Sequence, residues 1–424
     1  MKVRLKYGFE GLEVDLPETP NFKGIITPDE PSPITNVTDR LNEMINNPID
    51  SKPLIEIAKN RKNAVIVISD ITRPVPNKVI LPPILSTIER AGIKKENISI
   101  LIATGIHRPN EGEELTMLVG EDIANNYRII NHLSKNDNDM ELVGYISNGK
   151  VPVYINKYYL KADLKILTGF IEPHLWAGFS GGRKSILPGV SSIKTLEYMH
   201  SPEMVAHPKT VYGVLEGNPF HEAGLQVMEK SGADFILNVT LNTKKEITGI
   251  FAGNPVTAHI EGCNFLSKFC IKYIDEPLDF VVTTNSGAPL DINLYQTVKG
   301  MSVVAPVLKE GATILIASKC FEGLGSPEYV KVLNMIDSPD KFLKRLMNNE
   351  FFIPDQWCAQ ETYQIILKHP TWIYSDLPDD ILKKYFFHPV SSIEAAVKKL
   401  LSMYGNNASW AVLPDGPMVI VKLK

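Results

Sequence analysis

The chain has 424 residues, 44% hydrophobic and 22% charged, a composition that fits a globular protein and excludes a disordered or fibrous one. Single cores stop growing beyond ~250 to 300 residues, so two domains are expected. With 44 basic against 48 acidic residues the formal net charge is -4, so no general field attracts polyanions and a nucleic-acid partner is not expected.

In chain order, the opening MKVRLKYGFEGLEVDL lacks the apolar run of a secretory signal. No later segment offers the ~20 apolar residues of a membrane span. Cys263, Cys270, Cys320 and Cys358 are scattered without a CxxC pair, which predicts neither a disulfide framework nor a thiolate zinc site. A cytoplasmic protein without a membrane partner is expected. Short apolar, β-branched runs recur at residues 64–69 (AVIVIS), 98–103 (ISILIA), 164–168 (LKILT), 280–284 (FVVTT) and 313–317 (TILIA), and read as buried parallel strands. Between the first two, residues 77–92 (NKVILPPILSTIERAG) have the apolar spacing of a crossover helix, which Pro82 and Pro83 confine to its later part. Helical stretches at 220–231, 255–271 and 392–404 alternate with the strands.

The pattern predicts an α/β protein of two α/β domains with largely parallel sheets. A long amphipathic helix over 254–273, followed by Asp275, Glu276 and Pro277, sets the hinge near 270. The expected division is a larger N-terminal domain over residues 1–270 and a smaller C-terminal domain over 271–405. Residues 406–424 are expected as terminal strands, a hairpin turning at 414–417 and packing back on the N-terminal domain.

The first three strands each end in a polar cluster: Asp70, Thr72 and Arg73; Thr104, Gly105, His107 and Arg108; Gly169, Glu172 and His174. Ligands in open α/β sheets bind beyond the carboxyl ends of the strands, so these loops should gather two imidazoles, a carboxylate and a guanidinium at one edge. The next segment, 177–190 (AGFSGGRKSILPGV), is glycine-rich around Lys184. It is not a P-loop, because GxxxxGK[ST] needs Gly before the Lys and Arg183 stands there. Gly178, Gly181 and Gly182 still allow close backbone approach, and Arg183 with Lys184 would supply positive charge for a phosphate.

His200 ends a helix that starts near Ser192 and suits Ni, Zn, Cu or Fe. No HxH, HExxH or carboxylate set stands nearby, so any metal there takes most of its ligands from elsewhere. Further on, Gln296 and Lys299 share a helical face in YQTVKG (295–300), and Trp357 closes IPDQW (353–357).

Together SDITRPVP (69–76), ATGIHRP (103–109), GFIEPHLWAGFSGGRKSILPG (169–189), YQTVKGM (295–301) and IPDQW (353–357) resemble the lactate racemase family, the nickel pincer nucleotide enzymes, across almost the whole chain. GFSGGRKS with its upstream His is the most specific piece. The resemblance implies an isomerase: a racemase or epimerase interconverting D- and L-2-hydroxy acids, lactate or a similar small acid. The implied reaction is hydride transfer to and from a nickel pincer nucleotide (pyridinium-3-thioamide-5-thiocarboxylic acid mononucleotide) through a 2-keto acid.

By the same resemblance, Lys184 attaches the nucleotide through a thioamide, His200 is the protein ligand to nickel, and His107 and His174 are the paired acid/base residues. It implies Asp70, Thr72, Gly181, Gly182, Gln296, Lys299 and Trp357 around the cofactor, and Arg73, Gln296, Lys299 and Trp176 around the substrate. The cofactor site is expected in the cleft between domains, with cofactor maturation proteins as partners and a monomer or homodimer as the assembly.

The physics of the implied reaction is coherent. Removing the C2 proton beside an ionised carboxylate leaves a poorly stabilised carbanion, and hydride removal avoids it. An imidazole titrating near ~6.5 suits exchange of the hydroxyl proton, and the planar fork of Arg73 matches two carboxylate oxygens. Leu175 and Trp176 follow His174 where a lactate-specific member would carry aromatic residues such as Phe, so Trp176 is expected to reshape the substrate pocket. His207 and His221 read as structural. Two rival readings use the same residues: a metal- or phosphate-dependent hydrolase built on Asp70, His107 and His174, and a non-catalytic protein that binds a nucleotide or an organic acid.

Overall fold

The runs AVIVIS and ISILIA are buried along nearly their whole length, as strands covered on both faces must be. The computed structural model describes residues 1–424 and divides into two units, each assembled from more than one stretch of chain. One unit comprises residues 30–200 and 214–268, the other residues 1–29, 201–213 and 269–424. Both hold an α/β sheet with mostly parallel strands, as the alternation of apolar runs and helical stretches predicts.

In the first unit six strands lie in the order Ile247–Gly253, Phe235–Leu241, Leu164–Phe170, Ala64–Ser69, Ile98–Ala103, Arg128–Asn131. All neighbours are parallel except the first two, which form an antiparallel pair. From Ala64–Ser69 the chain first builds outward on one side, then returns to build on the other through Leu164–Phe170. Such a reversal parts the connecting loops and opens a crevice at the carboxyl ends of the two strands.

The helix Asn77–Arg90 runs unbroken through Pro82 and Pro83, where the sequence predicts only its later part. Its inner face explains why: Ile80, Leu81, Ile84, Leu85 and Ile88 are buried against Ile66, Ile68, Ile100 and Ile102 of the sheet. A proline leaves the carbonyl four residues back without its helical donor. Here those carbonyls belong to Lys78 and Val79, both solvent-exposed, where water can take the donor's place.

The second sheet has the order His388–Pro389, Thr371–Tyr374, Leu308–Ala317, Leu278–Thr284, Trp410–Leu413, Phe22–Ile25, with every pairing parallel. Its composition departs from a continuous domain over 1–270. The hairpin of Lys2–Leu5 and Leu12–Asp15 buries Val3, Leu5 and Val14 in one cluster with Phe280, Trp410 and the helix Ile393–Tyr404, and Phe22–Ile25 forms the sheet edge. The rings of Phe22 and Phe280 lie 4.5 and 5.1 Å from that of Trp410, so the aromatic contact ties the first thirty residues to the last.

Nor do residues 406–424 form a hairpin on the N-terminal domain. Trp410–Leu413, buried throughout, is an interior strand of this second sheet, and Ile420–Leu423 pairs in parallel with Ile271–Ile274. That pairing also ends the helix expected over 254–273: it spans Thr257–Cys270, and the chain continues directly as the strand. No helix is long and apolar enough to cross a membrane.

Trp410 is fully buried, and its indole N–H donates to Thr19 Oγ1 at 2.8 Å. Trp410→Ala should therefore cost about 3 to 5 kcal/mol, read as a shift in urea unfolding monitored by circular dichroism. A loss below about 1 kcal/mol would contradict the packing described.

Candidate active site

The site grows from the crevice in the first unit. Asp70 follows Ala64–Ser69, His107 lies beyond Ile98–Ala103, and His174 beyond Leu164–Phe170. Asp70 and His107 meet directly, with His107 Nδ1 2.6 Å from Asp70 Oδ2. The other carboxylate oxygen accepts from Thr72 Oγ1 at 2.6 Å and from the Thr72 amide at 3.2 Å. Burial by itself would raise the Asp70 carboxyl, but the hydrogen bonds of His107 and Thr72 and the charge of Arg73 outweigh it and hold the group below its ordinary range. Asp70 is thus an ionised, buried acceptor while the His107 side chain stays 46% exposed.

Asn110 and Asn131 brace these loops. Asn110 accepts from the Ile71 amide, and the Asn131 side chain accepts from the Asn110 main-chain N–H and donates to the Asn110 carbonyl, both at 2.8 Å. Arg108, which the sequence groups with His107, is committed to Glu114 through two contacts of 2.9 and 2.6 Å. Arg73 is exposed and reaches back to the Thr72 carbonyl and hydroxyl.

His174 stands on the strand Pro173–His174, which pairs with Gly178–Phe179 across a turn holding Leu175, Trp176 and Ala177. The turn folds back so that the amides of Trp176 and Ala177 both donate to His174 Nδ1 at 3.2 Å. Gly178 closes it with φ +74°, and a Cβ there would stand 2.2 Å from the Val214 carbonyl oxygen, so no other residue fits. Trp176 sits 5.7 Å, ring to ring, from His200, with Phe220 behind it. Its carbonyl accepts from Asn218, while its indole N–H is buried without a partner.

The glycine-rich loop differs from expectation in one respect. Arg183 does not offer its charge to a ligand: it is 1% exposed and donates to the carbonyls of Ala177 and Phe179. Gly182 also turns inward, its amide donating to Asn238 Oδ1 at 2.8 Å, and a Cβ on it would press into the His259 ring at 2.6 Å. Ser180 completes the brace, donating to the Phe170 carbonyl and accepting from the Glu172 amide. Asn238 and Ser180 carry functional geometry that sequence reasoning missed; the signal available was one asparagine inside the apolar run FILNVTL.

Lys184 follows Arg183 in the short 3-10 turn Gly182–Ser185 and is only partly exposed. Burial first, then the guanidiniums of Arg183 and Arg73, push its ammonium down to about 7 against the pull of Glu172. The Gly105 amide donates to the Gly189 carbonyl, joining the His107 loop to the end of the Lys184 loop.

His200 caps the helix Ile193–Met199, and its Nδ1 lies 3.0 Å from the Leu196 carbonyl oxygen. A carbonyl only accepts, so Nδ1 carries the proton and Nε2 the lone pair. Burial pushes this imidazole down to about 4, with the charge of Lys184 adding to it. His221 is buried beside His259 with its Nδ1 unpartnered, and His207 is exposed, its Nδ1 accepting from the Lys209 amide.

Gln296, Lys299 and Trp357 belong to the other unit. Gln296 and Lys299 share one face of the helix Leu294–Ser302, Gln296 with a buried Oε1 that has no partner. Trp357 is buried on the helix Gln356–Lys368 and donates to Tyr295 Oη at 3.2 Å. No group of three or more His, Cys, Asp and Glu side chains is arranged to hold a metal ion, so the rival reading as a metal hydrolase finds no protein cage.

Residues 7–213 match the lactate racemase N-terminal domain family and residues 274–421 the lactate racemase C-terminal domain family. The chain is similar to the lactate racemase of Thermoanaerobacterium thermosaccharolyticum, 37% identical with 100% of this chain and 99% of that one covered. It is similar also to the lactate racemase of Lactiplantibacillus plantarum, 39% identical with 91% of each chain covered. The solved lactate racemase apoprotein from T. thermosaccharolyticum superposes with a TM-score of 0.93 at 36% identity over 100% of both chains. A crystal structure of a Thermotoga maritima protein gives a TM-score of 0.67 at 19% identity, covering 94% of this chain and 100% of that one, a likeness of fold alone. The chain belongs to the lactate racemase family, and with it to the isomerases.

Proposed function

We propose that this protein racemises a small 2-hydroxy acid, lactate first, with a nickel pincer nucleotide as its resident cofactor. The observation that carries the reading is that His107, His174, Lys184 and His200, from four separate segments, stand in one unit whose sheet reverses strand order beside them.

The residues fit that group. His200 has a fixed Nε2 lone pair and belongs to no group of three or more possible protein ligands, which suits a metal whose other ligands come with the cofactor. Lys184, with its ammonium lowered to about 7, offers a free amine at neutral pH, the form that attacks an acyl carbon to make an amide or thioamide. The indole N–H of Trp176 and the Gln296 Oε1 are buried polar atoms without partners, each costly unless something meets it.

In this reading His200 holds the nickel and Lys184 carries the covalent link, with Asp70, Thr72, Gly181, Gly182, Gln296, Lys299 and Trp357 as further cofactor residues. Because the Gly182 amide is already bound to Asn238, its contribution is backbone shape. When bound, the cofactor supplies a hydride acceptor. The chain's own residues do the rest. Arg73 holds the substrate carboxylate, supported by Gln296 and Lys299 as family expectations. His107 and His174 act on the hydroxyl oxygen and its proton, and Trp176 walls the substrate. We further propose a cytoplasmic protein, supported by four buried cysteines none of which is in a disulfide, that receives its cofactor from maturation proteins.

Protein co-produced with the maturation proteins should convert L-lactate to the racemic mixture, followed by chiral chromatography. The double variant His107→Ala, His174→Ala, with nickel content unchanged, should lose at least about 10²-fold in rate; retained interconversion would contradict the assignment.

Only a free amine reacts with an activated ester. Labelling of Lys184 in the apoprotein, followed by peptide mass spectrometry, should therefore rise with pH through about 7 and level off. Exposed lysines keep rising toward about 10.4. A Lys184 profile that tracks them would contradict the free-amine argument.

A further inference from the structure

We propose that Lys184, before its cofactor is attached, is a covalent binding site for 2-keto acids: its amine takes the keto carbon as a reversible imine while Arg73 holds the carboxylate. The inference goes beyond the racemase reading and takes from it only the carboxylate role of Arg73.

The argument starts from how Lys184 is held. Its side chain is partly buried on the short turn Gly182–Ser185, and no hydrogen bond acts on its Nζ, only burial and the charges of Arg183, Arg73 and Glu172. Other lysines of the same unit are committed. Lys157 and Lys194 each stand 2.7 Å from a carboxylate oxygen, of Asp139 and Asp137, and Lys165 donates to the Ser231 carbonyl at 2.8 Å. Burial lowers the Lys165 ammonium as well, but its nitrogen is tied to that carbonyl and drawn on by Asp234. A lysine adds to a carbonyl carbon through a free lone pair, and burial and a neighbouring cation are what free it. Lys184 has both, with its nitrogen untied.

The surroundings select the carbonyl compound. Arg183 is closed off, 1% exposed and bound to the carbonyls of Ala177 and Phe179. Arg73 is exposed, and both its contacts, to the Thr72 carbonyl and hydroxyl, use Nη1. Nη2 and Nε are left to fork a carboxylate. An amine and a guanidinium within electrostatic reach of each other suit a ligand with carbonyl and carboxylate on adjacent carbons, which is a 2-keto acid.

The step balances without an oxidant or a reductant. The Nζ lone pair forms the C–N bond as the C=O π pair moves to oxygen. Both N–H protons pass to that oxygen, which leaves as water, and the nitrogen pair closes the C=N bond. Hydrolysis reverses it. The same nitrogen is the one the cofactor takes, so keto acid and cofactor exclude each other.

The test uses the full chain produced without the maturation proteins, with pyruvate as the probe and cyanoborohydride to reduce the imine to a stable secondary amine. An ordinary lysine titrates near 10.4, so at pH 7 fewer than about one in 10³ is free amine, against about half for Lys184. Peptide mass spectrometry should find a carboxyethyl group on Lys184, formed at least about tenfold faster than on Lys157, Lys165 or Lys194. Labelling spread evenly over the lysines, or absent from Lys184, would overturn the proposal.

Acetone, a ketone without the carboxylate, isolates the part of Arg73. Arg73→Gln should lower pyruvate labelling of Lys184 by about tenfold more than it lowers acetone labelling, the worth of one charged hydrogen bond. An equal fall for both probes would show that no carboxylate is held there and would overturn the proposal. On protein co-produced with the maturation proteins, an occupied Lys184 should resist pyruvate. Absence of cofactor from that protein would count against the racemase reading and leave the pyruvate result on the unloaded chain to stand by itself.

Discussion

Ala64–Ser69 is the one strand of its sheet whose neighbours are reached by chain building in opposite directions. The loops that leave it and its neighbour Leu164–Phe170 therefore part, and the polar residues that follow each strand have room to face a common crevice. Asp70 and His107 meet at this edge, and His174 follows the neighbouring strand. The remaining site residues depend on the same edge: the His107 loop is joined to the Lys184 segment by the Gly105 amide, and the glycine-rich loop is strapped to the Leu164–Phe170 and Phe235–Leu241 strands through Ser180 and Asn238.

A buried cation then shapes the chemistry. Arg183 has no carboxylate partner; its guanidinium is taken up by main-chain carbonyls of the loop it belongs to. A charge held away from water acts over distance with little screening. The next residue in the chain, Lys184, feels it: burial first, and the Arg183 charge after it, push its ammonium down to about 7. A basic dipeptide that resembles an anion site in sequence thus divides into a buried member held by main-chain carbonyls and one whose ammonium is lowered.

The parts legible in the sequence were those with a local signature. Buried runs such as AVIVIS gave strands because continuous β-branched apolar stretches fit a sheet covered on both faces. The meeting of Asp70 with His107 was legible in the same way, because polar residues directly after neighbouring parallel strands lie at one sheet edge. What failed depended on partners distant in sequence. WAVL at 410–413 looks the same whether it is an edge hairpin or an interior strand, and only pairing with Leu278–Thr284 and Phe22–Ile25 decides it. Pro82 and Pro83 argued locally against a helix whose inner face, packed on the sheet, outweighed them. The opposite hydrogen-bonding of His107 and His174 was equally out of reach, since a turn at 174–177 and a carboxylate 37 residues away set it.

Trp176 lies 5.7 Å, ring to ring, from His200, and its indole N–H is buried without a partner. The central claim, a nickel nucleotide bound through Lys184 and His200, is tested most directly by intact-protein mass spectrometry with nickel analysis on protein co-produced with the maturation proteins. The account predicts one adduct mapping to Lys184 and about one nickel per chain. Protein of unmodified mass without nickel, from a preparation in which the maturation proteins load a known lactate racemase, would contradict it.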